Sequence, residues 1–397
     1  MATYVGIDVA KRKHQVAFMD QAGELVGRPL SLANDRVGFE ALRERLMSLT
    51  APVEIGLEAT GHYWLALYDY LSQDGYSVYV LNPLQVHACQ KSGIRKRKTD
   101  KIDAIWIADF VRIGGASQAP PPDSLRSYMQ LRQLGRFRVS LVEWIGECKR
   151  RLLSVLDRIF PEYETLFSSV FTVSSRALLA QALTPAEFAH FDLEELSELL
   201  RRHSRGMLGR QRAQELQSLA ASSIGVSFLA DAVRVQTSCL LSQIEFLEAQ
   251  LTEVNAALAQ ILERLPRQYL TTIPGVGPAG AAVMVGEIGI IRRFPCVEKL
   301  VAYSGMDPAT HESGQFQAGS VHMSKRGSPY LRQALWLAAG VARQHDPELK
   351  AYFDKRRAEG KPYNVTMGAI CHKLLKRIYV DLRDSRPYVL QQLATTT

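Results

Sequence analysis

Four carboxylates stand out by position. Asp8 closes the apolar run of YVGIDVA, and Glu58 closes that of IGLEATG. Asp100 and Asp103 lie three apart in RKTDKIDA, a spacing that puts both on one face of a helix. Any one of these acids, taken alone, reads as a helix cap or a surface charge. Four brought to one place would repel one another, and they stay ionised together only beside a compensating cation. Hard oxygen ligands select Mg²⁺ or Mn²⁺. Two such ions about 4 Å apart stabilise the attacking and leaving oxygens of an in-line phosphoryl displacement.

Basic residues stand next to these acids. Lys91, Arg95, Lys96, Arg97 and Lys98 directly precede the Asp100/Asp103 pair. They can hold a phosphate backbone against the acids, or simply neutralise them as a solvated loop. Far downstream, Ile273-Pro274-Gly275-Val276-Gly277-Pro278 precedes the small-residue run AGAAVMVGEIG. Glycines at 275 and 277 let backbone N–H groups approach a phosphate with no side chain in the way. The segment resembles the helix-hairpin-helix element of non-sequence-specific DNA binders, and a tight turn between packed helices explains it equally well. Next come Ser304, Ser313, Ser320, Ser324 and Ser328, set among Lys325, Arg326 and Arg332. A serine held beside phosphate-binding cations and a metal can attack phosphorus and form a covalent intermediate. Composition does not choose among the five, and a serine in a Gly-rich loop is often only a turn residue.

The elements that must position these groups follow from the pattern. Tyr4–Val9, Gln15–Phe18 and a run near Glu24–Leu30 read as strands, and Gly23 turns the chain into the third. Phe39, Leu42 and Leu46 recur at helical spacing across 35–48. Val53–Leu57 and Tyr76–Leu81 read as further strands, and Gly61–Ser72 and Ile102–Val111 as helices. Three hairpin-like strands followed by alternating helices and strands is the order of an RNase H-like fold. Pro120-Pro121-Pro122 closes this part as a stiff linker. Residues 124–160 read as a long helix rich in basic residues, and 175–220 as less regular helix. Leu240, Ile244, Leu247, Leu251, Val254, Leu258, Ile261 and Leu265 then keep a 4-3 spacing. That seam predicts a coiled coil, paired with 124–160 or with another subunit, or else a long amphipathic core helix. From Pro266 to about residue 382, Gly- and basic-rich segments alternate with apolar helices, and the last residues read as a frayed tail.

The 397 residues are too many for one compact core. The expected division is 1–115, 116–265, 266–385 and a tail at 386–397. Net charge is +8, and its distribution is uneven. Residues 1–115 hold 14 Lys+Arg against 13 Asp+Glu, 116–265 hold 16 against 17, and 266–397 hold 18 against 10. The excess therefore sits in the last third, where a polyanion would bind in a salt-dependent way. No apolar stretch is long enough to span a membrane, and the N-terminus does not read as a signal peptide. The five scattered cysteines suggest neither a zinc site nor a disulfide framework. A reducing, intracellular setting is expected.

Taken together, GIDVAK, GLEATG, KTDKIDA, IPGVGP, YSGMDP, HESG and SKRG resemble the DEDD-type insertion-sequence transposases described as bridge-RNA-guided recombinases. The resemblance covers about 1–115 and 266–382. It implies an α/β plus α fold: an RNase H/RuvC-like N-terminal domain, a helical coiled-coil connector and a mainly helical C-terminal transposase domain. It places an acidic tetrad on Asp8, Glu58, Asp100 and Asp103, with Mg²⁺ or Mn²⁺, and a nucleophilic serine on Ser313 of HESG. The family pattern usually has a small residue such as alanine where this chain has Ser304. A composite active site in a dimer or tetramer is implied, acting on donor and target DNA under a structured noncoding RNA. The basic helix at 124–160 and the run that includes Arg97 and Lys98 are the expected RNA contacts. Gly275, Gly277, Lys325 and Arg326 complete the expected nucleic-acid surface. The setting implied is a prokaryotic cytoplasm, at the nucleoid. Three other functions compete with this one: a hydrolytic junction resolvase needing no serine, a sugar-kinase-like ATPase, and a non-catalytic nucleic-acid scaffold. The ATPase lacks its expected Gly-Thr-rich loop after Asp8.

Overall fold

A computed structural model of the chain describes residues 2–59, 61–81, 86, 100–115, 122–265, 269–307, 312–313, 316–317 and 323–390. Five N-terminal strands form one sheet in the order β3-β2-β1-β4-β5. They are β1 (Thr3–Asp8), β2 (Lys13–Met19), β3 (Leu30–Ala33), β4 (Val53–Glu58) and β5 (Ser77–Leu81). The first three form an antiparallel meander, while β4 lies parallel to both β1 and β5. Helices α1 (Arg36–Met47) and α2 (Trp64–Gln73) precede β4 and β5 in turn. Strand alternation sends Val5, Ile7, Ile55 and Leu57 to one face, where they share a core with Phe39, Leu42, Leu67 and Leu71.

The opposite face is covered by α3 (Asp100–Arg112), and two glycines allow the close approach. A Cβ on Gly6 would lie 2.1 Å from the Ala104 carbonyl oxygen, and one on Gly56 would lie 2.4 Å from a Val111 methyl. Any side chain at Gly6 would push the helix off the strand.

Two boundaries differ from the sequence pattern. The third strand runs Leu30–Ala33 instead of Glu24–Leu30. Gly23 and Gly27 both take positive φ, +91° and +88°, and the Asp20 carboxylate accepts the Glu24 N–H at 2.9 Å. Those residues are consumed by turns, and only Leu25 makes a bridge, to Met19. Helix α2 starts at Trp64 and not at Gly61, because Gly61 sits at φ +58°, a conformation that stops a right-handed helix.

The chain divides into two compact units. One falls within 1–130, 265–277 and 284–397, the other within 131–264 and 278–283. The second is helical: most of α4 (Pro122–Ile159), then α5 (Val173–Gln181), α6 (Pro185–His190), α7 (Leu193–His203), α8 (Arg210–Ala221) and α9 (Ala230–Glu263). Local caps punctuate it. Thr172 and Asp192 cap α5 and α7, and Thr184 forms a capping box with Glu187 at α6. Seam residues Leu240, Ile244, Val254 and Leu258 are buried. Arg138 donates to Asn255 at 2.8 Å, and Lys149 pairs with Glu248 at 3.0 Å. These contacts set α4 and α9 antiparallel within one chain. Arg176, then burial and Lys149, act on the Glu248 carboxyl, and the net result lies below the usual carboxylate range.

The C-terminal part of the first unit holds α11 (Val297–Ser304), α12 (Pro329–His345), α13 (Pro347–Ala358) and α14 (Tyr363–Asp384). Before them, α10 (Pro278–Ile288) crosses the boundary between the units. A short pair, β6 (Glu312–Ser313) and β7 (Phe316–Gln317), lies between α11 and α12 in sequence. Ile370, Leu374 and Ile378 of α14 are fully buried. Arg377 of α14 bridges Asp346 at 2.8 Å and Glu348 at 2.6 Å. Among the described residues, no helix is long and apolar enough to cross a membrane.

Candidate active site

The sheet register brings the first two acids together. Ile7 of β1 is level with Leu57 of β4 in parallel pairing, so the next residues, Asp8 and Glu58, are lateral neighbours. Both share the parity of Gly6 and Gly56, and so both stand on the face covered by α3. Glu58 is buried and Asp8 half-buried. Ala104 packs on Gly6, while the later residues Ile107 and Val111 cluster with Tyr4 at the start of β1. The opening of α3 therefore lies toward the strand end that carries Asp8. Asp100 is the first residue of that helix, and half-buried Asp103 directly precedes Ala104. The backbone thus puts Asp8, Glu58 and the start of α3 at the same end of the sheet. Among the described residues, no three His, Cys, Asp or Glu side chains stand as a ready metal-holding group. Arg97 and Lys98 lie outside the described residues.

The serines divide by environment. Ser304 is fully buried, and its hydroxyl donates to the Val301 carbonyl at 2.7 Å. Ser328 is buried too: it caps α12 by accepting the Leu331 N–H and donates to Glu287 Oε2 at 2.8 Å. Ser324 donates to Asp307 Oδ1 at 2.5 Å. Ser320 lies outside the described residues. Ser313 belongs to β6 and pairs with Phe316 of β7.

Around these serines two backbone segments lock together. Gly305 ends α11 at φ +68°. Lys325 N donates to Gly305 O at 3.0 Å, and Ser328 N donates to Tyr303 O at 2.8 Å. A Cβ on Gly327 would lie 1.9 Å from Tyr303 O. The turn leaves Lys325, itself left-handed at φ +52°, and Arg326 exposed. Arg332, expected to bind phosphate, instead donates to Ser304 O at 3.0 Å and braces the turn. Sequence reasoning missed Glu287 and Asp307, which hold Ser328 and Ser324. A lone Glu inside the apolar run AGAAVMVGEIG was the available sign of the first.

The two hairpin glycines play different parts. Gly275 sits at φ +87°, and a Cβ there would lie 2.2 Å from Ala338 O, so packing on α12 demands it. Gly277 is exposed and precedes α10, with nothing within 4 Å of its missing Cβ. The segment before the glycines is a single 3-10 turn, Leu270–Thr272, and not a full helix.

Comparison with known proteins identifies the family. A family profile described as a transposase, of the DEDD IS110 type, matches residues 5–161. A second, described as the transposase IS116/IS110/IS902 family, matches residues 267–354. A protein named for the IS117 mini-circle of Streptomyces coelicolor is 25% identical over 99% of each chain. The 43.6 kDa protein of insertion element IS110 from the same species is 23% identical over 98% of this chain and 96% of its own. The pilin gene-inverting protein of Moraxella bovis is 24% identical over 97% of each chain. The chain belongs to the IS110-type family of insertion-sequence transposases, enzymes that cut and rejoin DNA.

Proposed function

We propose that this transposase works through the carboxylates of Asp8, Glu58, Asp100 and Asp103 and the hydroxyl of Ser313, guided to donor and target DNA by a noncoding RNA of its element. The observation that carries the proposal is the lateral pairing of Asp8 and Glu58 beneath the opening of α3. An antiparallel meander followed by parallel crossover strands is the RNase H/RuvC-like order, which supports the same assignment. The donor set is all carboxylate oxygen, and it fits Mg²⁺ or Mn²⁺. When bound, such an ion supplies positive charge to the oxygens around phosphorus.

The attacking serine is taken as Ser313 on the strength of the resemblance carried by HESG; of the other serines, Ser304 and Ser328 are buried and Ser324 is held by Asp307. The Ser313 oxygen bonds to the scissile phosphorus, the bond to the DNA leaving oxygen breaks, and that oxygen takes up a proton. A hydroxyl of the incoming strand then displaces the serine and seals the new junction. Lys325, Arg326 and the open N–H groups after Gly277 hold phosphates of the bound strands. Arg97, Lys98 and the basic face of α4 contact the guide RNA. The domains are 1–115, 116–265 and 266–385 with a tail at 386–397, and the carboxylates and serine of a composite site come from different copies in a dimer or tetramer. Its setting is the bacterial cytoplasm.

Covalent trapping tests this. Purified chain is mixed with element RNA, Mg²⁺ and labelled DNA, then resolved on a denaturing gel. A protein–DNA adduct is expected for the wild type, reduced more than about 100-fold in Ser313→Ala and in Asp8→Asn. Full strand exchange by Ser313→Ala would remove the serine from the mechanism. Cleavage with no adduct would identify a hydrolytic enzyme using activated water.

A further inference from the structure

A cavity of about 730 Å³ opens on one face of α14. That is within the range of about 300–1,000 Å³ in which proteins hold small organic groups. Its walls include Met306, Met323 and Tyr352, and Asn364, Lys373 and Lys376 stand along the helix beside them. Gly368 also lines it, and nothing lies within 4 Å of the position its Cβ would take. A glycine in a helix interior is less stable than alanine, and no neighbour in the described structure requires it here. Among the described residues, no acidic side chain lines the space. Lys373 lies 4.8 Å over the Tyr352 ring and pairs with Glu348 at 3.0 Å, while Lys376 is exposed. Met306 and Met323 bracket in sequence the segment that carries Ser313.

We infer that this cavity takes one unstacked nucleotide of a single DNA strand, with its base between Tyr352 and the methionines above Gly368 and its phosphate beside Lys376. Each part has a chemical reason. An aromatic face stacks on any base. Thioether side chains adapt to flat, polarisable rings. The Asn364 amide offers both a donor and an acceptor to a base edge. An ammonium and a phosphate attract, and the surrounding 266–397 region carries the chain's net positive charge. DNA is the strand in question because this family cuts DNA. The inference rests on the proposed nucleotide-handling role of the C-terminal domain, and its test separates the two.

The probe is a single-stranded DNA oligonucleotide carrying 2-aminopurine, titrated with the full chain and compared with the same sequence as duplex. Gly368→Leu projects a side chain into the cavity from a position whose Cβ meets open space, and Tyr352→Ala removes the stacking face. Both are expected to weaken single-strand binding about tenfold and to abolish the 2-aminopurine signal, with duplex binding changed less than about twofold. Unchanged single-strand binding and signal in Gly368→Leu, with wild-type DNA affinity intact, would overturn the cavity alone. Absence of DNA binding by the wild-type chain would overturn the wider role as well. An RNA oligonucleotide of the same sequence that loses more than the DNA would overturn DNA as the occupant. A fall in thermal stability of Gly368→Leu without a change in binding would assign the space to a segment of the chain itself.

Discussion

The carboxylate end of the sheet and the serine-bearing turns of the C-terminal region position their groups by different means. In the sheet, regular pairing does the work: one rung of β1 and β4 sets Asp8 beside Glu58, and α3 is laid on that face over Gly6 and Gly56. In the C-terminal region there is no such lattice. Two irregular segments, 303–307 and 324–328, hold one another through backbone bonds and the glycines at 305 and 327. A sheet fixes many residues at once through repeated bonds. Interlocked turns fix a few residues, and each contact matters.

The comparison can be broken or sharpened by substitution. The largest effect is expected for Gly6→Val. Its side chain must displace α3, costing about 3 kcal/mol or more in stability. A shift of about 1 Å in the acids should lower strand exchange on the order of 100-fold. Thermal unfolding and a strand-exchange assay measure both, and retained activity would show that α3 does not set the geometry. Gly327→Ala drives a Cβ into Tyr303 O, and should cost about 2 kcal/mol and weaken DNA binding while leaving carboxylate-dependent metal uptake unchanged. Loss of metal uptake in that variant would contradict the independence of the two regions.

A smaller effect concerns the acid of the C-terminal region that lies away from the serines. Burial pushes the Asp381 carboxyl up to about 6. Its Oδ1 accepts the Tyr269 N–H, and Oδ2 has no partner among the described residues. Because the folded value lies above the ordinary one of about 3.9, the unfolded chain releases this proton first as pH rises. Stability is therefore lost between about pH 4 and 6 and stays lower above it. Asp381→Asn should raise stability at pH 7.5 by about 1–3 kcal/mol and leave it nearly unchanged at pH 4. An equal gain at both pH values would separate the effect from ionisation. Smallest is Ser328→Ala, which removes the α12 cap and a bond to Glu287, at about 1–2 kcal/mol by chemical denaturation. No measurable loss would mean that the turn is held by its glycines alone.

How legible each part was in the sequence follows from the same contrast. Alternation and apolar runs locate β1, β2, β4 and β5 to within a residue or two, because one buried face imposes a period of two. The third strand slid because Gly23 and Gly27 spend the expected residues on turns. The stretch 175–220 read as irregular, yet Thr184 with Glu187 and Asp192 marked helix starts that periodicity alone passed over. The seam of α9 was visible, but a heptad pattern does not name its partner, and α4 supplies one. The pairings of Ser328 with Glu287 and Ser324 with Asp307 join residues 41 and 17 positions apart. No local pattern announces such contacts.

The turn that carries Lys325 and Arg326 has a thermodynamic consequence. Its backbone is already fixed by Tyr303, Gly305 and Asp307, and its left-handed residue is set before any DNA arrives. The ordering entropy of this segment is therefore spent during folding. Phosphate capture there should show a small ordering penalty and a favourable entropy from released counterions and water, much as for a rigid ligand meeting a finished mould.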